Sequence, residues 1–184
     1  SSLCQATEVA RTGLSLSGFM KQLLVIRHGK SSWEIDGLSD HDRPLNERGL
    51  RDAPRMAAAL KEKGLVPGHI VSSTAVRAAT TARMLAEGLG YPKDQIAFDR
   101  SIYLASPMEM LRVIQQFGES VETALMFGHN PGMHELVNEM ASGDLVESFP
   151  TLAVGWLKLD IEFWGEAGFA CGSLEAIMTP RLLD

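Results

Sequence analysis

The sequence has little of several features that would indicate particular classes of protein. No apolar run approaches the ~20 residues that a membrane-spanning helix needs. Its two cysteines are too few for the disulfide framework of a small secreted domain, and they follow no metal or redox spacing. These absences argue against a membrane span and a disulfide scaffold, and we expect a reducing, cytoplasmic compartment.

Positive charge is also scarce. The chain carries 17 basic and 23 acidic residues, which gives a formal net charge of −6. Nucleic acids and anionic lipids both reward a basic surface. We therefore expect neither nucleic acid nor membrane as a partner, and any anion that the protein binds must be captured locally.

The hydrophobic pattern starts abruptly after Met20. Residues 1–19 are small, serine-rich and weakly periodic, and we interpret them as a leader or a disordered tail; their arginines and serines leave an organellar transit peptide open. The remaining residues, 20–184, are enough for one well-cored domain.

Short apolar runs alternate with helical patterns along this domain. Strands are predicted at residues 21–26, 69–72, 95–98 and 122–127. Helices are predicted at 47–64, with Asn46 as its N-cap, and at 76–89, 107–117 and 131–140. Two late strands, 151–163 and 172–179, have no helix between them, which favours an antiparallel pair. The pattern predicts a single-domain α/β three-layer sandwich, with a mostly parallel sheet and helices on both faces.

Two prolines mark the boundaries of these predicted helices. Pro54 lies inside the first helix, where it is expected to kink the helix or to mark the start of its regular part. Pro131 is expected to occupy the first helical position of the last helix.

Polar groups suited to one phosphate dianion follow three of the predicted strands. They are residues 27–29 (RHG), 72–77 (SSTAVR) and 128–131 (GHNP). Each segment alone is more often an ordinary surface turn, but ligands of open α/β sheets bind beyond the carboxyl ends of strands. Guanidinium groups can hold phosphate oxygens while one imidazole attacks phosphorus and another stabilises charge. The coincidence predicts phosphoryl chemistry that needs neither metal nor cofactor.

A zinc site is the alternative that the histidines suggest. His129, His134 and Glu135 lie close in sequence, but a zinc-binding helix needs histidines one turn apart with the glutamate beside the first. The order here is different and Pro131 intervenes, so we predict no metal site.

The three segments, in this order, resemble the histidine phosphatase superfamily. The run RHGKSSW…LSDHDRPLNERG, with the closing TPRLL, is similar to its SixA-type phosphohistidine phosphatase branch. The resemblance covers about residues 21 to 183. It implies that residues 20–184 form a histidine phosphatase domain.

The resemblance also implies roles for individual residues. His28 would accept the phosphoryl group, Arg27 and Arg77 would clamp its oxygens, and His129 would be the second histidine of the pocket. Arg43 resembles an additional pocket arginine of the SixA-type branch. An equally weighted reading of Arg43 is a surface arginine paired with an aspartate of its own loop, Asp40 or Asp42.

The substrate class depends on a general acid. Many superfamily members that act on sugar phosphates carry a glutamate after the third strand, but residues 99–106 contain none, and Glu109 is already on the next helix. An alkoxide needs a proton as it leaves, whereas imidazole, with an unperturbed pKa of about 6.5, leaves far more readily. The sequence thus favours phosphohistidine on a protein as substrate.

Two other functions stay open at this point. One is a broad phosphomonoesterase that acts on small phosphorylated molecules, with Asp99 or Glu109 as the acid. The other is a non-catalytic phosphate-binding module, which would not need a retained nucleophile.

Overall fold

The structure is a computed structural model that describes residues 20–143 and 145–184, so the predicted leader or tail lies outside the described residues. Within them, the strands are β1 (Lys21–Arg27), β2 (His69–Ser72), β3 (Ala97–Phe98), β4 (Thr123–Gly128), β5 (Val154–Leu159) and β6 (Gly172–Met178). The α-helices are α1 (Glu47–Glu62), α2 (Val76–Leu89), α3 (Pro107–Ile114) and α4 (Gly132–Met140).

The strands form one mixed sheet in the order β3-β2-β4-β1-β5-β6. The first four strands of this order are parallel, whereas β5 is antiparallel to both β1 and β6. The predicted α/β class, with a mostly parallel sheet and a late antiparallel pair, is confirmed.

The sheet carries a hydrophobic core on each face because side chains alternate along its buried strands. Leu23 and Val25 of β1 join the cluster that contains the apolar side chains of α3 and α4. Leu24 and Ile26 join the opposite cluster, with α1 and α2. All four side chains are fully buried, so the central strand reads as a continuous apolar run. Helices therefore cover both faces, as predicted.

Several strands are shorter than predicted because local turns end them. Residues Lys93–Gln95 form a 3₁₀ turn, which leaves only two residues in β3. Leu152 has a φ of 59°, a left-handed conformation that a strand cannot contain, so β5 starts at Val154 rather than at residue 151. At its other end β5 stops at Leu159 rather than at residue 163, where Ile161 N donates to Leu159 O at 2.9 Å in a tight turn.

The helices follow the prediction with small differences at their ends. The first helix runs from Glu47 to Glu62 with Pro54 inside it, and α3 ends at Ile114 instead of residue 117. Pro131 precedes α4 as its N-cap residue instead of occupying the first helical position. Among the helices described, none is both long and apolar enough to cross a membrane.

The first turn of α1 packs on the loop that follows β1. A Cβ atom on Gly49 would lie 2.4 Å from the carbonyl oxygen of Lys30, and that oxygen also accepts a hydrogen bond from Asn46 N at 2.9 Å. Glycine is required here because any side chain would meet backbone rather than a movable group. The close approach holds the loop that begins with His28.

We predict that Gly49→Ala lowers the free energy of unfolding by about 1–3 kcal/mol, the usual cost of overpacking a site that cannot relax. Gly165→Ala is the matched control, because nothing lies within 4 Å of its Cβ position. Urea denaturation measures both. A Gly49→Ala protein as stable as the parent would contradict the close packing of α1 on this loop.

Candidate active site

The three polar segments of the sequence meet at one edge of the sheet. Strand β4 lies between β2 and β1, and all three run parallel, so their carboxyl ends are neighbours. Arg27 is aligned with Gly128, and Ser72 is aligned with Phe127. His28 N then donates to Gly128 O at 3.1 Å. The sheet therefore gathers residues that are about fifty to a hundred positions apart in the chain.

His28 is held in a single orientation at this edge. Its Nδ1 lies 2.7 Å from the carbonyl oxygen of Gly29, and a carbonyl can only accept, so Nδ1 carries the proton and Nε2 keeps its lone pair. Arg77 Nε donates to this Nε2 at 3.3 Å. Thr81 fixes the loop because its hydroxyl accepts from Gly29 N at 3.1 Å and donates to Arg77 O at 2.7 Å.

The surroundings of His28 keep its imidazole neutral. Burial lowers the pKa of His28 from 6.5 to about 4, against the opposing effect of the hydrogen bond to Gly29. The positive charges of Arg77, Arg27 and Arg43 lower the pKa further. At neutral pH the Nε2 lone pair is therefore available to attack an electrophile.

Arg27 and Arg43 bring positive charge to His28 from two directions. Arg27 Nη1 donates to Phe149 O at 3.2 Å, and its flanking position places its charge close enough to lower the pKa of His28. Arg43 donates to the Ser31 hydroxyl and stacks on the Trp33 ring, 3.7 Å from the ring centroid.

Arg43 forms one of the two contacts expected from the sequence, and it also lies close enough to His28 to affect its pKa. Arg43 Nη2 donates to Asp40 Oδ1 at 3.2 Å, so it forms the predicted ion pair with an aspartate of its loop. The same guanidinium also contributes to the positive potential at His28. Pairing with Asp40 and proximity to the pocket are therefore not alternatives.

His129 stands beside His28, with ring centroids 5.2 Å apart. Its Nε2 lies 2.8 Å from the Ser73 hydroxyl, and that oxygen already accepts from Ala75 N at 3.2 Å. The Ser73 hydroxyl has one hydrogen besides this accepted bond, so it can donate to Nε2, and we assign the ring proton of His129 to Nδ1 on this basis. Burial, followed by the charges of His28 and Arg77, lowers the pKa of His129 to about 3.

Three buried side-chain nitrogens in the described part of the chain have no hydrogen-bond partner: Arg27 Nε, Arg43 Nε and His129 Nδ1. Leaving a buried donor unpaired costs about 1–3 kcal/mol. All three belong to the predicted site, and each can donate to an oxyanion. The arrangement thus combines unpaired donors with the lone pair of a neutral imidazole, which suits capture and transfer of a phosphoryl group.

Two residues that the sequence did not single out for the pocket are part of it. Asp40 accepts from Arg77 Nη2 at 2.9 Å, and the hydroxyl of Tyr103 donates to the same carboxylate. The sequence indicates Asp40 only as a possible ion-pair partner of Arg43. Tyr103 lies in the segment 99–106, for which the sequence indicates only the lack of a glutamate. The edge of the Tyr103 ring also packs against His129, with centroids 5.3 Å apart.

The two candidate acids of the phosphomonoesterase reading serve as helix caps. Asp99 Oδ1 accepts from Ser101 N at 2.9 Å at the start of a 3₁₀ turn. Glu109 completes a capping box with Ser106 at the start of α3, and these hydrogen bonds to Ser106 lower the pKa of Glu109. Glu109 is therefore held as an anion at the surface, and the carboxylate of Asp99 is engaged as a cap acceptor.

The two histidines that suggested a zinc site have different surroundings. His134 Nε2 donates to Val146 O at 2.6 Å and stacks on Phe149, whereas His129 contacts Ser73. No group of three or more His, Cys, Asp or Glu side chains within residues 20–143 and 145–184 is placed to hold a metal ion.

A family model of the histidine phosphatase superfamily (branch 1) matches residues 23–99, which include the RHG segment and Arg77. An uncharacterized chloroplastic protein of Arabidopsis thaliana is 30% identical over 172 residues, which cover 87% of this chain and 78% of that protein. The chain belongs to the histidine phosphatase superfamily.

The similarity to the SixA-type branch is confirmed as well. The phosphohistidine phosphatase SixA of Escherichia coli is 26% identical over 140 residues, which cover 76% of this chain and 86% of that protein. The fold is similar to a solved structure of the protein histidine phosphatase SixA in complex with tungstate. That comparison gives a TM-score of 0.76 at 23% identity, over 89% of this chain and 99% of that one. Membership of this superfamily supports phosphatase activity.

We predict that His28 and His129 stay neutral in the folded protein as the pH falls through 6.5, and that they protonate near pH 4 and pH 3. Because the unfolded chain takes up these protons first, the free energy of unfolding decreases as the pH falls through this window. Histidine NMR titration measures both midpoints. In urea the same resonances should titrate near pH ~6.5. A folded-state midpoint at that value would contradict the burial and the charge environment of His28.

Proposed function

We propose that this protein is a metal-independent phosphohistidine phosphatase that uses His28 as its nucleophile. One observation carries the proposal: the His28 imidazole is neutral, with its proton fixed on Nδ1 by Gly29 and its Nε2 lone pair beside Arg77. A module that only bound phosphate would gain more from a charged imidazole than from a neutral one that presents a lone pair on Nε2.

The first step is attack of His28 Nε2 on phosphorus. The new P–N bond forms in line with the bond that breaks, and the electron pair of the broken bond departs with the leaving imidazole, which takes up a proton from solvent. Arg27 and Arg77 hold the phosphoryl oxygens as they spread apart. His129 donates its Nδ1 proton to one of these oxygens, because Ser73 occupies its other nitrogen.

In the second step, water attacks the phosphohistidine formed on His28 and releases inorganic phosphate. The P–N bond breaks, its electron pair returns to Nε2, and the proton of the attacking water is lost to solvent. Gly29 keeps the ring in the same orientation throughout, so Nε2 is ready for the next cycle. Covalent catalysis divides one difficult displacement into two easier ones.

The placement of carboxylates supports phosphohistidine on a protein over a small phosphate ester. Asp99 and Glu109 are bound in helix caps, so neither is available to protonate an alkoxide. A phosphoramidate needs such help far less, because imidazole is a good leaving group. The similarity to a protein histidine phosphatase supports the same substrate class.

We predict that the ³²P-labelled intermediate forms on His28 and that His28→Ala abolishes both labelling and turnover. The label should be stable in alkali and lost in acid, as expected for a phosphoramidate, and turnover should persist in excess EDTA. His69→Gln, at the opposite end of β2, is the matched control and should retain the label. Label on a serine, an aspartate or another histidine would contradict this assignment, as would loss of turnover on chelation.

We also predict that Asp99→Asn and Glu109→Gln each leave phosphohistidine turnover within several-fold of the parent, whereas a true general acid contributes about 10²–10⁴ in rate. Arg77→Ala is the positive comparison, because removing a preorganised donor costs about 10²–10³ in rate. Steady-state kinetics on a phosphohistidine peptide measures all three. Selective loss of phosphate ester hydrolysis in either carboxylate variant would favour the phosphomonoesterase instead.

A further inference from the structure

Asp40 holds one edge of the guanidinium that faces His28. Arg77 Nη1 donates to the backbone oxygen of Asp40 at 2.6 Å, and Nη2 donates to its carboxylate at 2.9 Å. The third nitrogen, Nε, donates to His28 Nε2 at 3.3 Å. With two nitrogens anchored on Asp40, the planar guanidinium cannot rotate, and Nε–H is directed at the atom that attacks phosphorus.

Asp40 is itself held by side chains from other segments. Arg43 donates to its other carboxylate oxygen, and Tyr103, 63 residues away in the chain, donates to the oxygen that Arg77 uses. The next residue, His41, contacts the Thr74 hydroxyl at 2.8 Å. This contact holds the segment that contains Asp40 against the loop after β2.

The backbone that presents Tyr103 to Asp40 is strained. Leu104 has a φ of 53°, in the left-handed region that non-glycine residues seldom adopt, although its side chain is mostly exposed. Strain of this kind costs about 1–3 kcal/mol and persists where the surrounding structure requires it. Leu104 is too exposed for its burial to offset this cost. We interpret the strained backbone as the conformation that places the Tyr103 hydroxyl against Asp40.

We propose that Asp40 is a positioning residue for the phosphoryl group and does not serve as the acid. It fixes Arg77 beside His28 Nε2, so that Nε–H, released when Nε2 attacks phosphorus, is already in place to donate to a phosphoryl oxygen. This inference rests on the proposed function, because it gives Asp40 a role in the same pocket. A donor that is already oriented stabilises developing charge without a reorganisation cost. Asp40 therefore acts through Arg77 rather than on the substrate.

The charge of Asp40 also matches the pocket to its ligand. The hydrogen bond from Tyr103, together with Arg77 and Arg43, holds the pKa of Asp40 well below its usual range, so the carboxylate is an anion. Three guanidinium charges less this carboxylate leave two positive charges around two neutral histidines. A phosphoryl dianion neutralises this set.

The test compares Asp40→Ala and Asp40→Asn with Asp42→Asn. Asp42 belongs to the same 3₁₀ turn, but its carboxylate pairs with His41, so it controls for damage to the loop. The substrates are a phosphohistidine peptide and p-nitrophenyl phosphate. Because a small misplacement of a catalytic contact can cost up to ~10²-fold, we expect Asp40→Ala to lower kcat at least ~10-fold with KM nearly unchanged.

The kcat values of the other variants are expected to depend on which contacts with Arg77 they keep. Asp40→Asn keeps an oxygen that can accept from Arg77 Nη2, so its kcat should lie between those of the parent and Asp40→Ala. Asp42→Asn should match the parent. The loss should be the same for both substrates, and the inhibition constant for vanadate should rise with the loss of kcat, because positioning matters most in the transition state.

Two other outcomes would overturn the proposal. A lower KM and tighter vanadate binding with unchanged kcat would mean that Asp40 only competes with the phosphoryl group for Arg77. Loss of kcat confined to an alkyl phosphate ester, assayed as a third substrate, together with a lost limb of the pH profile, would make Asp40 the acid.

A direct readout of Arg77 keeps the test independent of turnover and of the substrate class. The Nε–H resonance of Arg77 should shift in Asp40→Asn but not in Asp42→Asn; an unchanged resonance would contradict the proposal. If the phosphohistidine peptide is inert while p-nitrophenyl phosphate is hydrolysed, the proposed substrate class fails, but the role of Asp40 is still measured. Urea denaturation of each variant identifies any general loss of stability.

Discussion

The hydrogen bond from His28 Nδ1 to the carbonyl oxygen of Gly29 is the interaction on which the chemistry of the site depends. It assigns the proton to one ring nitrogen and the lone pair to the other, beside Arg77. Burial and three nearby arginines then keep the ring neutral. With the opposite tautomer, an N–H group would meet the guanidinium, and no nucleophile would face the phosphoryl pocket.

The parallel arrangement of β2, β4 and β1 explains why one edge of the sheet can hold such a site. The strands are nearly free of polar side chains within the core, and each continues into a polar segment as it leaves the sheet. The backbone N–H of His28 donates to Gly128 O at the end of β4. The next residue, Gly29, donates its N–H to the hydroxyl of Thr81 on α2. The separation between His28 and Arg77 is therefore set by backbone hydrogen bonds and not by flexible side chains alone.

The sequence predicts the parts of the site that lie directly after buried strands. An apolar run followed by RHG, and the same change at Ser72 and Gly128, places Arg27, His28 and His129 at strand ends from local pattern alone. Asp40 and Tyr103 could not be found in this way, because their contact joins two irregular segments with no periodicity. The predicted length of β3 was wrong for a related reason. A turn sets where this strand begins, and the local composition does not specify the geometry of that turn.

The proposed reaction is the transfer of a phosphoryl group from histidine without a general acid. Its most direct test is kcat/KM on two peptides of identical sequence, one phosphorylated on histidine and the other carrying phosphoserine at that position. Because an acid contributes about 10²–10⁴ to the departure of an alkoxide, the phosphohistidine peptide should be preferred by at least ~10²-fold. Equal kcat/KM values for the two peptides would contradict the claim.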